Sequence, residues 1–216
     1  MRAAVRSAIL SLLIAAVGAA LIWAAFFWQP QPPAGPPHAA QPLASVPAGG
    51  DFVLRSAGGP VALKDMRGKV VMLYFGYTFC PDICPTSLAV VAQALSGLTA
   101  DELGQVEAIF VSVDPERDTV EKLKDYAAYF HPKIVGVTGT AEELAALARG
   151  YGASYRKQEV GSQGGYVVDH SSFTYLIDRR GGLAASLPHG TAAPRIVEEI
   201  RRLLNETPAA PTAARG

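Results

Sequence analysis

From Ala8 to Trp28 the chain runs through twenty-one positions without a charge, mostly Ala, Leu, Ile, Val and aromatics. About 20 apolar residues suffice for a helix to cross hydrocarbon, so this run predicts a transmembrane anchor over residues 8–28. After it the pattern dissolves. Residues 29–50 are crowded with Pro, Ala and Gly and show no hydrophobic period, which predicts an extended tether. A folded domain is expected over residues 51–204, followed by an Ala- and Pro-rich disordered tail over 205–216.

Inside the domain, Lys69 to Phe75 follows a turn at Gly68 and is apolar from Val70 on without alternation, as expected of a strand buried on both faces. Val106 to Val113 reads the same way. Between them, Thr86 to Leu98 has apolar residues at helical spacing, with Pro85 suited to a first turn where its missing N–H costs nothing. Asp118 with Glu121, and Thr140 with Glu143, carry capping-box spacing and predict two helix starts. Ile134 to Val137 is a further strand. Ser172 to Ile177 and Leu183 to Ser186 flank a turn-rich stretch and predict a late hairpin. Pro194 opens a last helix through Leu204. The order β(β)βαβαβαββα predicts an α/β domain with a mixed central sheet flanked by helices.

Charge adds orientation. Arg2 and Arg6 precede the apolar run and no acidic residue does, so residues 1–7 are expected in the cytoplasm and the domain outside it. The run ends in Phe26, Phe27 and Trp28, an interfacial belt rather than a small-residue cleavage site, which favours a retained anchor. With no Arg- and Ser-rich presequence, the expected location is a bacterial inner membrane, single-pass, with the domain in the periplasm. Of the 216 residues 19 are basic and 19 acidic, and setting aside Arg2 and Arg6 leaves 17 against 19. Nothing in that balance attracts nucleic acid.

Only two cysteines exist, Cys80 and Cys84, inside the segment Gly76 to Pro85 between a buried strand and a helix. Four residues apart, their sulfurs reach one small volume on a helical face or in a short loop. The nearby helix N-terminus favours thiolate, the form that binds metal or attacks a disulfide. Three uses are open: a fixed structural disulfide, a redox pair, or a metal site. A bridge closing so short a loop removes little chain entropy, which weighs against the first.

A metal site needs a third ligand. His131 precedes Pro132 at a helix end, where it is placed to interact with the helix carbonyls. His189 precedes Gly190 in a polar loop, and both read as structural or solvated. His38 sits in the tether and is assigned no role. His170 follows Tyr166-Val167-Val168-Asp169 and precedes a β-rich stretch, so it emerges at a strand edge, its ring oriented by Asp169 or a nearby carbonyl. On its own position it reads as a structural histidine more readily than as a ligand.

Three separated segments carry a resemblance: Tyr74-Phe75-Gly76-Tyr77-Thr78-Phe79-Cys80-Pro81-Asp82-Ile83-Cys84-Pro85, Val111-Ser112-Val113-Asp114-Pro115-Glu116-Arg117-Asp118-Thr119, and Asp169-His170-Ser171-Ser172-Phe173-Thr174-Tyr175-Leu176-Ile177-Asp178. In order and spacing the chain resembles the Sco/SenC family from about Asp51 to Leu204. The resemblance implies a thioredoxin-like domain that binds one copper ion per chain through Cys80, Cys84 and His170. It also implies a role in building the dinuclear copper centre of cytochrome c oxidase. The partner would be the copper-accepting oxidase subunit, with other periplasmic copper carriers or thiol reductants as further candidates.

Two thiolates and one imidazole suit Cu(I) in a three-coordinate site and accommodate Cu(II). A closed structural zinc site wants four protein ligands. Asp82 is placed to tune the site or meet a partner, the segment from Asp114 to Arg117 reads as loop architecture, and Tyr77 and Phe79 as shields of the thiols or a docking surface. The leading expectation is a copper metallochaperone. The alternatives are a thiol-disulfide oxidoreductase using Cys80 and Cys84 on the acceptor's cysteines, a copper or redox sensor, and more distantly a peroxidase.

Overall fold

The computed structural model describes residues 6, 16–19, 23, 47–160 and 165–206. The chain divides into two compact units, residues 1–39 and 40–216. In the first, Arg6, Ala16, Val17, Gly18, Ala19 and Trp23 are helical. The rest of the predicted span over 8–28 lies outside the described residues, as do His38, most of the tether and the tail beyond Glu206. Among the described residues no helix is long and apolar enough to cross a membrane.

The second unit is built on a five-stranded sheet. In chain order its elements are β1 (Val53–Ser56), β2 (Gly59–Ala62), a 3-10 turn (Leu63–Met66), β3 (Val70–Gly76), α1 (Ile83–Ser96), α2 (Ala100–Gly104), β4 (Val106–Ser112), α3 (Val120–Phe130), β5 (Ile134–Val137), α4 (Ala141–Gly150), β6 (Tyr155–Val160), β7 (Gly165–His170), β8 (Phe173–Ile177), β9 (Leu183–Pro188) and α5 (Ala193–Asn205). The sheet order is β5-β4-β3-β8-β9, with β3, β4 and β5 parallel and β8 and β9 antiparallel. The mixed sheet and the late hairpin stand as expected.

All seven residues of β3 are buried, which is why its sequence is apolar without alternation: both faces of this central strand are covered. Each large aliphatic side chain buried there contributes roughly 1.5–3 kcal/mol. β8 runs antiparallel along β3, pairing Tyr74 with Thr174 and Val71 with Ile177. That pairing returns the chain to the C-terminal end of β3, where the cysteine segment begins.

Four expectations need correction. The helix after β3 starts at Ile83, three residues before Thr86, so Cys84 is helical, while Pro85 lies in the first turn as read. A first turn has no intrahelical partner for its N–H groups, so Pro85 does not interrupt it. Asp118 does not cap α3. Thr119 does, accepting from Lys122 N–H, while the Asp118 carboxylate is buried and accepts from Thr78 N–H at 2.9 Å, Thr78 Oγ1 at 2.5 Å and Ser112 Oγ at 2.6 Å. Two elements were not foreseen: α2, capped by a Thr99–Glu102 box, and the separate β6–β7 ribbon. Lastly, the domain's contacts begin before Asp51, because Ala48 and Gly49 N–H both donate to the Gly150 carbonyl. The box at Thr140 and Glu143 is formed as read.

Asp118 therefore fastens the cysteine loop to the end of β4. Replacing it with Ala leaves a part-buried amide and two hydroxyls without their acceptor, and urea denaturation is expected to show a loss of about 2–4 kcal/mol. Asp118→Asn, which keeps one acceptor oxygen, should lose less.

Candidate metal centre

Cys80 lies in the turn after β3, its N–H donating to Tyr77 O at 3.3 Å, and is half-buried. Cys84 is the second residue of α1 and has no exposed surface. The two are thus not on one helical face; they meet because the turn folds back over the helix start. There the Cys84 N–H, one of the unpaired donors of a first turn, points to Cys80 Sγ at 3.4 Å. Both thiols are free, not bridged.

His170 is the last residue of β7 and is 7% exposed. Its Nδ1 is 3.1 Å from the Ser171 carbonyl oxygen, which only accepts, so Nδ1 carries a proton and Nε2 is the ring atom turned to the sulfurs. The orienting group is this carbonyl; Asp169 instead bonds the Gln158 amide. Nε2 stands 3.1 Å from Cys84 Sγ and 4.0 Å from Cys80 Sγ. Tyr74 and Tyr77 meet the imidazole edge-on at 6.2 and 5.9 Å between ring centres.

The three donor atoms all lie within 4.8 Å of one another. Metal bonds of about 2.0–2.3 Å place the donors of one ion roughly 3–4 Å apart, so the cluster is of the right size for a single ion. Two sulfurs and one imidazole nitrogen are donors that favour copper among biological metals. The residues present fit a copper ion.

The two thiols differ sharply. A hydrogen bond from the Cys84 thiol, aided by His170 and by the N–H groups of Cys84 and Asp82, outweighs burial and brings the Cys80 pKa down to about 4. Burial pushes the Cys84 thiol up, and the neighbouring Cys80 thiolate adds to that shift. The metal-free pair is accordingly one half-exposed thiolate beside one buried thiol.

The sequence model of the SCO1/SenC family matches residues 40–205. The chain belongs to the SCO1/SenC family. It is 40% identical over 155 residues to the mitochondrial SCO2 homolog of Bos taurus, covering 71% of this chain and 58% of that protein. A SCO2-like protein of Rickettsia felis is 38% identical over 139 residues, covering 63% and 67%. The chain therefore spans little more than half the length of the bovine relative. Among solved structures, copper-bound ScoI of Bradyrhizobium japonicum superposes with a TM-score of 0.66 at 34% identity, covering 72% of this chain and 99% of that one. Copper-bound yeast Sco1 gives 0.68 at 32%, covering 76% and 92%. The fold is thioredoxin-like, as expected.

The other candidates are distributed around this centre. Asp82 is exposed at the start of α1 and makes no side-chain cap. Asp114 and Arg117 pair at 2.5 Å in the loop after β4. Tyr77 is buried beside His170, whereas Phe79 is 55% exposed, so only Phe79 presents a surface. His131 accepts from Lys133 N–H through Nδ1, and burial and Lys133 hold its pKa down; it closes a local turn instead of lending charge to the helix end. His189 bonds Ser87 Oγ at 2.9 Å, one turn along α1 from Cys84, and lies outside the donor cluster.

Gly76 was not singled out from sequence, yet a Cβ there would stand 2.8 Å from both Cys84 Sγ and the Phe110 ring. Gly76→Ala is expected to displace the Cys84 sulfur, costing about 1–3 kcal/mol in urea denaturation and weakening metal retention. The thiol asymmetry gives a second test on the reduced, metal-free chain. Iodoacetamide should label Cys80 far ahead of Cys84. Cys80 labelling should persist as pH falls and fail only near pH 4, because its folded pKa lies below the usual thiol value of about 8.5. A rate that falls between pH 9 and 8 would contradict the assignment.

Proposed function

We propose that this protein is a copper metallochaperone that holds one copper ion through Cys80, Cys84 and His170 and serves assembly of the dinuclear copper centre of cytochrome c oxidase. The observation that carries the reading is the convergence of three donor atoms from two distant segments within 4.8 Å. Copper-bound relatives of the same fold at 32–34% identity support copper as the cargo. Membership of the family supports the oxidase as destination.

The residues divide the work of holding and releasing. Cys84 and His170 are buried and oriented before any ion arrives, the first by the helix and the second by its Nδ1–H bond, so they form the retaining side. Cys80 is half-exposed and its thiolate is the donor that an incoming acceptor thiol reaches first. Transfer by stepwise exchange of ligands begins there. Residues 8–28 hold the domain at the membrane, with the copper site on the periplasmic side.

The opposed thiol pKa values favour one second reading. A Cys80 thiolate attacking a disulfide on the acceptor forms a mixed disulfide; Cys84, once deprotonated, displaces it, leaving Cys80–Cys84 oxidised and the acceptor's two thiols reduced.

Copper stoichiometry on the full, reduced chain separates the two readings. One Cu(I) per chain is expected, and Cys80→Ala, Cys84→Ala and His170→Ala should each lower affinity more than about 100-fold, beyond the cost of losing an outer-shell partner. Far-UV circular dichroism should show each variant folded. Full copper retention by the His170 variant, with the cysteines cycling freely between dithiol and disulfide, would replace the metallochaperone with the reductase.

A further inference from the structure

Arg117 lies outside the donor cluster but touches both segments that carry it. Its Nε donates to Asp114 Oδ2 at 2.5 Å and its Nη1 to the Tyr166 carbonyl at 2.9 Å. The Tyr166 hydroxyl donates back to Asp114 Oδ1 at 2.7 Å, so one buried carboxylate receives both partners. The guanidinium carbon sits 3.6 Å from the Tyr166 ring centre, 4.8 Å from that of Phe79 and 5.6 Å from that of Tyr77. Its Nη2 is buried and has no hydrogen-bond partner among the described residues. Phe79 precedes Cys80, Tyr77 meets the His170 imidazole edge-on, and Tyr166 lies on the strand that ends in His170.

We propose that Arg117 is a positioning residue for the metal site: its planar fork and stacked faces clamp the Cys80 loop to the His170 ribbon, and so set how slowly the ion is released. The β6–β7 ribbon forms a sheet of its own, outside the five-stranded sheet, and so draws no ladder hydrogen bonds from it. Ser154 and Ser171 tie its base by three bonds, and the Arg117–Asp114–Tyr166 cluster holds it further along. Lys157–Glu116 adds an exposed pair on the same loop, of little weight. Cation–π contact with a half-exposed Phe79 fixes the other side, where Lys122 also stacks at 3.6 Å. A lysine at 117 supplies the charge but neither the fork nor the flat stack.

This inference rests on the copper reading, and its test separates the two. Full-length reduced chains carrying Arg117→Lys, Arg117→Gln or Phe79→Leu are loaded with Cu(I) and mixed with excess Cu(I) chelator. Release is expected to quicken about 10–100-fold in both Arg117 variants, the scale of an outer-shell loss, and in the same direction for Phe79→Leu. A role confined to stability would lower the urea midpoint and leave release from the folded chain unchanged. Release within about twofold of the parent in Arg117→Lys and Phe79→Leu overturns the proposal, as does full rescue by Lys. Should Arg117→Gln fail to fold around the stranded Asp114, the other two variants decide. Should the parent chain take up no copper, the copper reading falls and hydrogen exchange in the metal-free protein decides instead. Faster exchange across Tyr166–His170 in Arg117→Lys then upholds the clamp, and unchanged exchange removes it.

Discussion

The antiparallel pairing of β8 on β3 is the constraint on which the site depends. Val71, Met72, Leu73 and Tyr74 pair with Ile177, Leu176, Tyr175 and Thr174. Carried a few residues past the paired segment, that register brings His170 level with the loop from Tyr77 to Cys80. A slip of one residue would turn the opposite faces of β8 toward the core and move the imidazole with them. The sheet's buried apolar register therefore sets a distance between sulfur and nitrogen that no local contact could hold alone. The Ser171 carbonyl, one residue beyond His170, then orients the ring through Nδ1.

Two buried carboxylates at the end of β4 complete the arrangement. Asp118 receives Thr78 of the cysteine loop and Ser112 of the strand; Asp114 receives Tyr166 and Arg117. Burying a carboxylate is expensive unless it is fully bonded, and both are. Because each bonds a different site-bearing segment, the loop between β4 and α3 acts as a common support for a cysteine arm and a histidine arm that have no covalent reason to meet.

Much of this was legible in the sequence, and the failures have identifiable causes. β3, β5 and the hairpin of β8 and β9 announce themselves through continuous burial and turn chemistry. Asp118 was misread because a polar residue three before a Glu looks like a cap, and only the tertiary position of Thr78 shows the carboxylate spent elsewhere while Thr119 caps. The β6–β7 ribbon was missed because Arg156, Lys157, Gln158 and Glu159 are exposed and show no apolar alternation; Gly161, Gly164 and Gly165 were the available turn signal. The cysteine pair stood out by itself. His170 did not, since a lone histidine has no local signature, and it entered through the resemblance. Gly76 and Arg117 act through contacts across 8 and 49 residues, to Cys84 and Tyr166, which no window along the chain displays.

The difference between the cysteines follows from four residues of chain. Cys80 stops just short of the helix, where its sulfur collects the N–H of Cys84 and the Cys84 thiol proton. Cys84 lies inside the first turn, against Gly76 and the Phe110 side of the sheet, where ionisation is penalised by burial. A metal-free pair so divided stores one negative charge, not two. For both sulfurs to serve as charged donors, only the Cys84 proton would have to leave. Exposure follows the same division, so the sulfur that is charged is also the one open to solvent.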